Sequence, residues 1–120
     1  MTDSVIKTKS RVFAIRVIKL YQYLKNEKSE HIMSTQVLRS GTSIGANVHE
    51  AFFGASKKDF TNKLSIALKE ACETEYWLYI LAETGYIEDN MRDSIISDCQ
   101  ELCRLLHKSV KTARASNENK

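Results

Sequence analysis

The chain has 120 residues, no proline, four glycines, three cysteines and 42% apolar residues. Such a composition describes one domain large enough to bury a core and biased toward helices with short connections, and an odd cysteine count is not a disulfide framework. A net charge of +3 excludes a strongly acidic or basic chain. No apolar run approaches membrane-spanning length and the first residues lack a signal-peptide core, so a cytoplasmic protein without membrane contact is expected.

The first predicted helix covers about 4–26, with Asp3 or Ser4 as its N-cap. Its seam is Ile6, Phe13, Val17, Leu20 and Leu24, flanked by Val12, Ile18 and Tyr21, because steps of three, four and seven residues return to one face. A polar connection, Glu27 to Ile32, follows. The second helix, about 35–53, is expected to start after Ser34 with Met33 and Leu38 as a hydrophobic staple, and to stop at Gly54.

That second helix contains the least ordinary run in the chain, Arg39-Ser-Gly-Thr-Ser-Ile-Gly-Ala-Asn-Val-His-Glu-Ala51. Each helical glycine gives up about 1 kcal/mol relative to alanine, so packing or contact must offset Gly41 and Gly45. Gly41, Ile44, Gly45 and Val48 together read as a surface for close approach of another helix. A phosphate-cradling loop is the alternative, but it needs a preceding strand and usually a following lysine, and neither is present. Asn47 and Glu50 are either buried polar contacts that set register or solvated groups.

The third helix, about 57–84, opens with Ser56-Lys-Lys-Asp59, a variant capping box, and ends at Gly85. Phe60, Leu64, Ala67, Ala71, Thr74, Leu78 and Leu81 form its seam. Glu75-Tyr-Trp-Leu-Tyr-Ile-Leu81 is apolar around most of the circumference, which a lone bundle cannot hide. Ile66, Tyr76, Trp77, Tyr79 and Ile80 are therefore the candidate subunit interface, against the plainer reading of tolerated exposed aromatics. The fourth helix, about 88–115, carries Met91, Ile95, Cys99, Leu102, Leu106 and Val110 as its stripe, beside Cys103 and Leu105. Its tail, residues 116–120, is expected to fray. Short connections then give an all-α, antiparallel up-down-up-down four-helix bundle.

Charge is unevenly spread: residues 1–28 carry +5, residues 88–101 carry −4 and residues 102–115 carry +4. In this topology Lys7, Lys9 and Arg11 share one end with Lys108, Lys111 and Arg114. The helix dipole accounts for the last three but not the first three, so RNA or DNA is a candidate partner, with ordinary solvated charge the alternative. Cys99, Cys103 and His107 recur every four residues, yet no fourth ligand accompanies them, and no metal, cofactor or catalytic constellation is expected.

Gln36-Val-Leu-Arg-Ser-Gly-Thr-Ser-Ile-Gly-Ala-Asn-Val48, Lys57-Lys-Asp-Phe60, Leu64-Ser-Ile-Ala-Leu-Lys-Glu-Ala71, Glu73-Thr-Glu-Tyr-Trp-Leu78 and Glu83-Thr-Gly-Tyr86 together resemble the four helix bundle protein family, also called the 23S rRNA intervening-sequence protein family. His49 stands where many relatives carry an acid. The resemblance implies an antiparallel bundle assembled as a homopentamer, without a catalytic site. Related bundles that serve diversity-generating retroelements bind nucleic acid and a reverse transcriptase through basic surfaces. The expectation is thus a non-enzymatic oligomeric scaffold that binds RNA or DNA weakly; the alternative is an adaptor platform for another protein.

Overall fold

A helix with one apolar stripe is stable only when neighbours cover that stripe, and four such helices can do this for one another. The computed structural model describes residues 2–54 and 56–118. Over them run α1 (Thr2–Glu27), α2 (Met33–Ala51), α3 (Lys57–Glu83) and α4 (Asp89–Glu118). α1 packs on α2, α2 on α3, α3 on α4 and α4 on α1, whereas among the described residues the backbones of the diagonal pairs α1/α3 and α2/α4 do not approach each other closely. Contacts from Ser10 to Gly45 and Val17 to Gly41, from Glu50 to Lys63 and Ser40 to Thr74, and from Asn117 to Thr61 and Gln100 to Tyr79 all run in opposite chain senses. The result is an up-down-up-down bundle measuring 51 × 21 × 21 Å.

The core follows the expected seams. Val17, Leu24, Ile44, Leu64, Leu78, Leu81, Leu102 and Leu106 are all fully buried. Each such side chain contributes about 1.5–3 kcal/mol by leaving water. Ile96 is buried beside the expected α4 stripe, and Phe60 only partly so. On α1 the flanks were misplaced: Val12 and Ile18 face outward, and the inner position between Ile6 and Phe13 belongs to Ser10.

Helix ends show where local chemistry departs from expectation. α1 is helical from Thr2, so Ser4 lies inside it rather than capping it, and the side chain of Asp3 lies outside the described residues. α2 starts at Met33, not after Ser34, and residue Ile32 before it offers no side-chain cap. The Glu30 carboxylate supplies the cap instead, accepting from the backbone N–H groups of Ser34 (2.7 Å), Met33 (3.1 Å) and Ile32 (3.2 Å). An anion at this terminus also meets the positive end of the helix dipole. Ser29 takes a left-handed conformation, φ 53°, to turn the chain there.

α2 ends at Ala51, and Gly54 is not the left-handed stop expected of it. Phe52 closes that corner instead, its ring edge-on to Phe60 at 5.3 Å. Ser56 caps α3 by accepting from the Asp59 N–H at 3.1 Å. Gly85, φ 81°, ends α3 with paired bonds from Tyr86 N–H to the Leu81 carbonyl and from Gly85 N–H to the Ala82 carbonyl, a Schellman closure. α4 persists to Glu118, since Asn117 donates to the Thr61 hydroxyl at 2.9 Å. Residues 116–118 are therefore helical, while Asn119 and Lys120 lie outside the described residues.

Candidate nucleic-acid interface and apolar faces

The close approach in the Gly-rich run has two parts. A Cβ added at Gly45 would lie 3.2 Å from the backbone carbonyl oxygen of Ser10, and one at Gly41 would lie 2.8 Å from both Val17 methyls. α2 thus rests on the α1 backbone at one glycine and on a β-branched side chain at the other. Ile44 and Val48 are buried against the core. Asn47 donates within its own helix to the Ser43 carbonyl at 2.9 Å, and Glu50 pairs on the surface with Lys63 at 2.9 Å. The buried polar contact that ties α2 to α3 is one the sequence reading missed, the Thr74 hydroxyl 2.8 Å from that of Ser40. Arg39, at the start of the run, reaches Glu70 at 3.1 Å and also pairs with Glu73.

The six basic residues divide into two groups. Lys7 and Arg11 line a groove of about 460 Å³ between α1 and α2, with His49, Thr42 and the small Gly45 and Ala46 opposite them. Lys7 also lies over the Phe52 ring, 4.3 Å from its centroid. Lys9 points the other way and pairs with Glu101 of α4 at 3.0 Å, so its charge is matched. Because those two residues are level in an antiparallel pair, Thr2 is level with Lys108, and Lys111 and Arg114 extend beyond α1.

Past that point no described residue of α1 covers the side of α4 that faced it. Lys108 lines a groove of about 350 Å³ there with Lys57, Thr61 and Asn117. Arg114 reaches the Ser65 hydroxyl of α3 at 3.4 Å, and Lys111 is exposed. Lys57 and Lys58, absent from the expected set, join this end because Ser56 caps α3 beside the last turns of α4. Their position could have been read from the capping box and the topology.

The apolar surface is larger than expected: Ile32 and Phe53 stand exposed in the connections on either side of α2, and the rest lies on two helices. On α3, Ile66, Tyr76 and Tyr79 are 43%, 57% and 41% exposed. Trp77 is half-buried and donates its indole N–H to Glu73 at 3.1 Å, and Ile80 is also half-buried, so these two stand at the margin of that face. On α1, Val5, Val12, Ile15 and Ile18 form a second outward stripe, with Val12 and Ile15 54% and 50% exposed. Steps of three and seven residues gather them, the same signal that picks out a seam, and only the structure says which stripe turns inward. Among the described residues, no group of three or more His, Cys, Asp or Glu side chains is placed to hold a metal ion, and no helix is long and apolar enough to cross a membrane.

Residues 2–108 match the family described as 23S rRNA-intervening sequence protein. The chain belongs to that family. A solved relative, a protein with unknown function from the S23 ribosomal protein family of Bacteroides thetaiotaomicron, is similar to this family member at 53% identity and a TM-score of 0.91. The match spans 92% of this chain and 99% of the relative. No curated protein matches this chain.

Proposed function

We propose that this family member is a non-enzymatic cytoplasmic scaffold, a ring of identical copies whose basic bundle ends hold RNA or DNA weakly. The observation that carries the reading is the pair of apolar stripes on α1 and α3. These helices are diagonal in the bundle, so their outer faces point in nearly opposite directions. A contact of either stripe with itself would leave the other in water. Seating the α1 stripe of one copy on the α3 stripe of the next covers both, and such head-to-tail contacts close into rings when the rotation permits. A homopentamer, which the family resemblance implies, is one such ring.

Repetition matters for the charged end. Lys7, Arg11, Lys108, Lys111 and Arg114 are dispersed on one copy, and a matched Lys9 adds little. Several copies on one assembly convert weak phosphate contacts into useful retention. Light scattering at micromolar concentration should give several subunits per particle; a single well-behaved subunit would refute the ring. Retention on immobilised RNA should fall with added salt and vanish when Lys7, Arg11, Lys111 and Arg114 are replaced by Glu. Unchanged retention in that variant would remove the nucleic-acid role and leave the ring standing.

A further inference from the structure

All three cysteines fall on the α3–α4 seam, where neither the scaffold nor the basic end uses them. Cys72 is exposed, Cys103 half-buried and Cys99 buried. The Cys99 thiol donates to the Ala71 carbonyl at 3.4 Å, and the Gln100 side chain donates to Glu75 and to the Tyr79 hydroxyl, each at 3.0 Å. These contacts set the antiparallel register. One turn farther along α4, these contacts put Cys103 level with the stretch from Ala67 to Tyr76, with Cys72 in the middle of it, and the two thiols are near enough to act on each other electrostatically.

The three sulfurs are not equivalent. The Cys99 thiol, acting on Cys103 from one turn away, holds Cys103 below the ordinary thiol value; burial and Glu75 oppose this, while Cys72 and Arg104 assist. Cys99 itself is pushed up, first by that same interaction and then by burial. Exposed as Cys72 is, partial loss of water around its sulfur is the main cause that raises it, with Cys103 adding to it. The partly accessible sulfur is therefore also the one most ready to ionise, the combination that makes a cysteine reactive.

We propose that Cys103 and Cys72 form a peroxide-sensitive pair that closes a reversible disulfide across the α3–α4 seam, with Cys103 attacking and Cys72 resolving. The Cys103 thiolate gives an electron pair to one oxygen of hydrogen peroxide. The O–O bond breaks, hydroxide leaves, and the proton earlier lost by Cys103 converts it to water. Cys103 is now a sulfenic acid, oxidised by two electrons. The Cys72 sulfur attacks it, the S–O bond breaks, and hydroxide departs with the Cys72 proton as a second water. Two thiols and one peroxide thus become one disulfide and two waters. Cys99 stays reduced, because it is fully buried and peroxide does not reach it.

The test treats the full-length protein with hydrogen peroxide and follows it by intact mass, denatured thiol counting and peptide mapping. Wild type should lose two hydrogen atoms, fall from three titratable thiols to one, and show the Cys72 peptide joined to the peptide that holds Cys103. Cys99→Ser should reach the same Cys72–Cys103 link at the end point but more slowly, because Cys103 loses the thiol that favours its ionisation. Cys103→Ser should not cross-link, and Cys72→Ser should stop at a sulfenic acid on Cys103 that dimedone traps. Failure of wild type to cross-link would overturn the proposal without reliance on any variant. So would a cross-link lost in a folded Cys99→Ser protein, a disulfide joining two copies, or oxidation of Cys72 in Cys103→Ser at the wild-type rate.

Discussion

Glu30 is a nearly buried carboxylate whose surroundings decide how α2 begins. Burial works to raise its pKa, but the N–H groups of Ser34, Met33 and Ile32 favour the charged form and outweigh that, so it sits below its ordinary 4.5. A carboxyl with a depressed folded-state value stabilises the fold fully above its unfolded value. That contribution is lost as pH falls through the lower folded value. Glu30→Gln should therefore cost about 1 kcal/mol at neutral pH, the usual worth of a helix cap. The gap from wild type in chemical denaturation should narrow steadily once pH drops below 4.5. A gap of constant size across that range would mean that the charge is not what caps α2. The sequence concealed this cap for a simple reason. Ser34 is a common capping residue and Glu is not, and only the turn at Ser29 swings the Glu30 carboxylate back over the helix start.

At the scale of the helices, the inner seams were legible because spacings of three and four residues survive any detail of packing. Val17, Ile44, Leu64, Leu78 and Leu102 are all buried as that periodicity requires. The flanks were not legible, since Val12 and Ile18 on α1 obey the same spacing yet lie outside. What fixes the inner face of α1 is α2, which presses on Ser10 and Val17 through its two glycines. Alanine in a helix interior normally gains about 1 kcal/mol over glycine. At position 41 the new methyl would collide with both Val17 methyls at 2.8 Å, and Val17 is fully buried with a stiff branched side chain. Overpacking of this kind costs about 1–3 kcal/mol, so Gly41→Ala should lower stability by about 1 kcal/mol after the helix gain is counted. Adding Val17→Ala makes room for the methyl, so in urea denaturation the double variant should be more stable than the sum of the two single effects by at least about 0.5 kcal/mol. Strict additivity would show that residues 41 and 17 do not press on each other.

For the whole molecule, the decisive question is how two apolar faces on opposite sides are covered. The sequence disclosed only one of them, because Tyr76 and Tyr79 stand out beside Trp77 whereas Val5, Val12, Ile15 and Ile18 look like a second copy of the α1 seam. With both faces in view, the geometry of assembly becomes testable by mixing. Ile15→Glu should spoil the α1 face alone, and Tyr76→Glu the α3 face alone. Each variant on its own should run as a single subunit in sedimentation velocity, since a charge buried at an interface without a partner is strongly unfavourable. In a head-to-tail ring, however, each variant keeps the face that the other lacks. An equimolar mixture should then form one-to-one pairs, joined by the intact α3 face of the first and the intact α1 face of the second, and it should not grow further. Faces that pair with themselves predict something else: each variant would dimerise through its undamaged face, and mixing would add nothing. One-to-one pairs on mixing would establish that α1 of one copy meets α3 of the next, while dimers of the separate variants would exclude the ring.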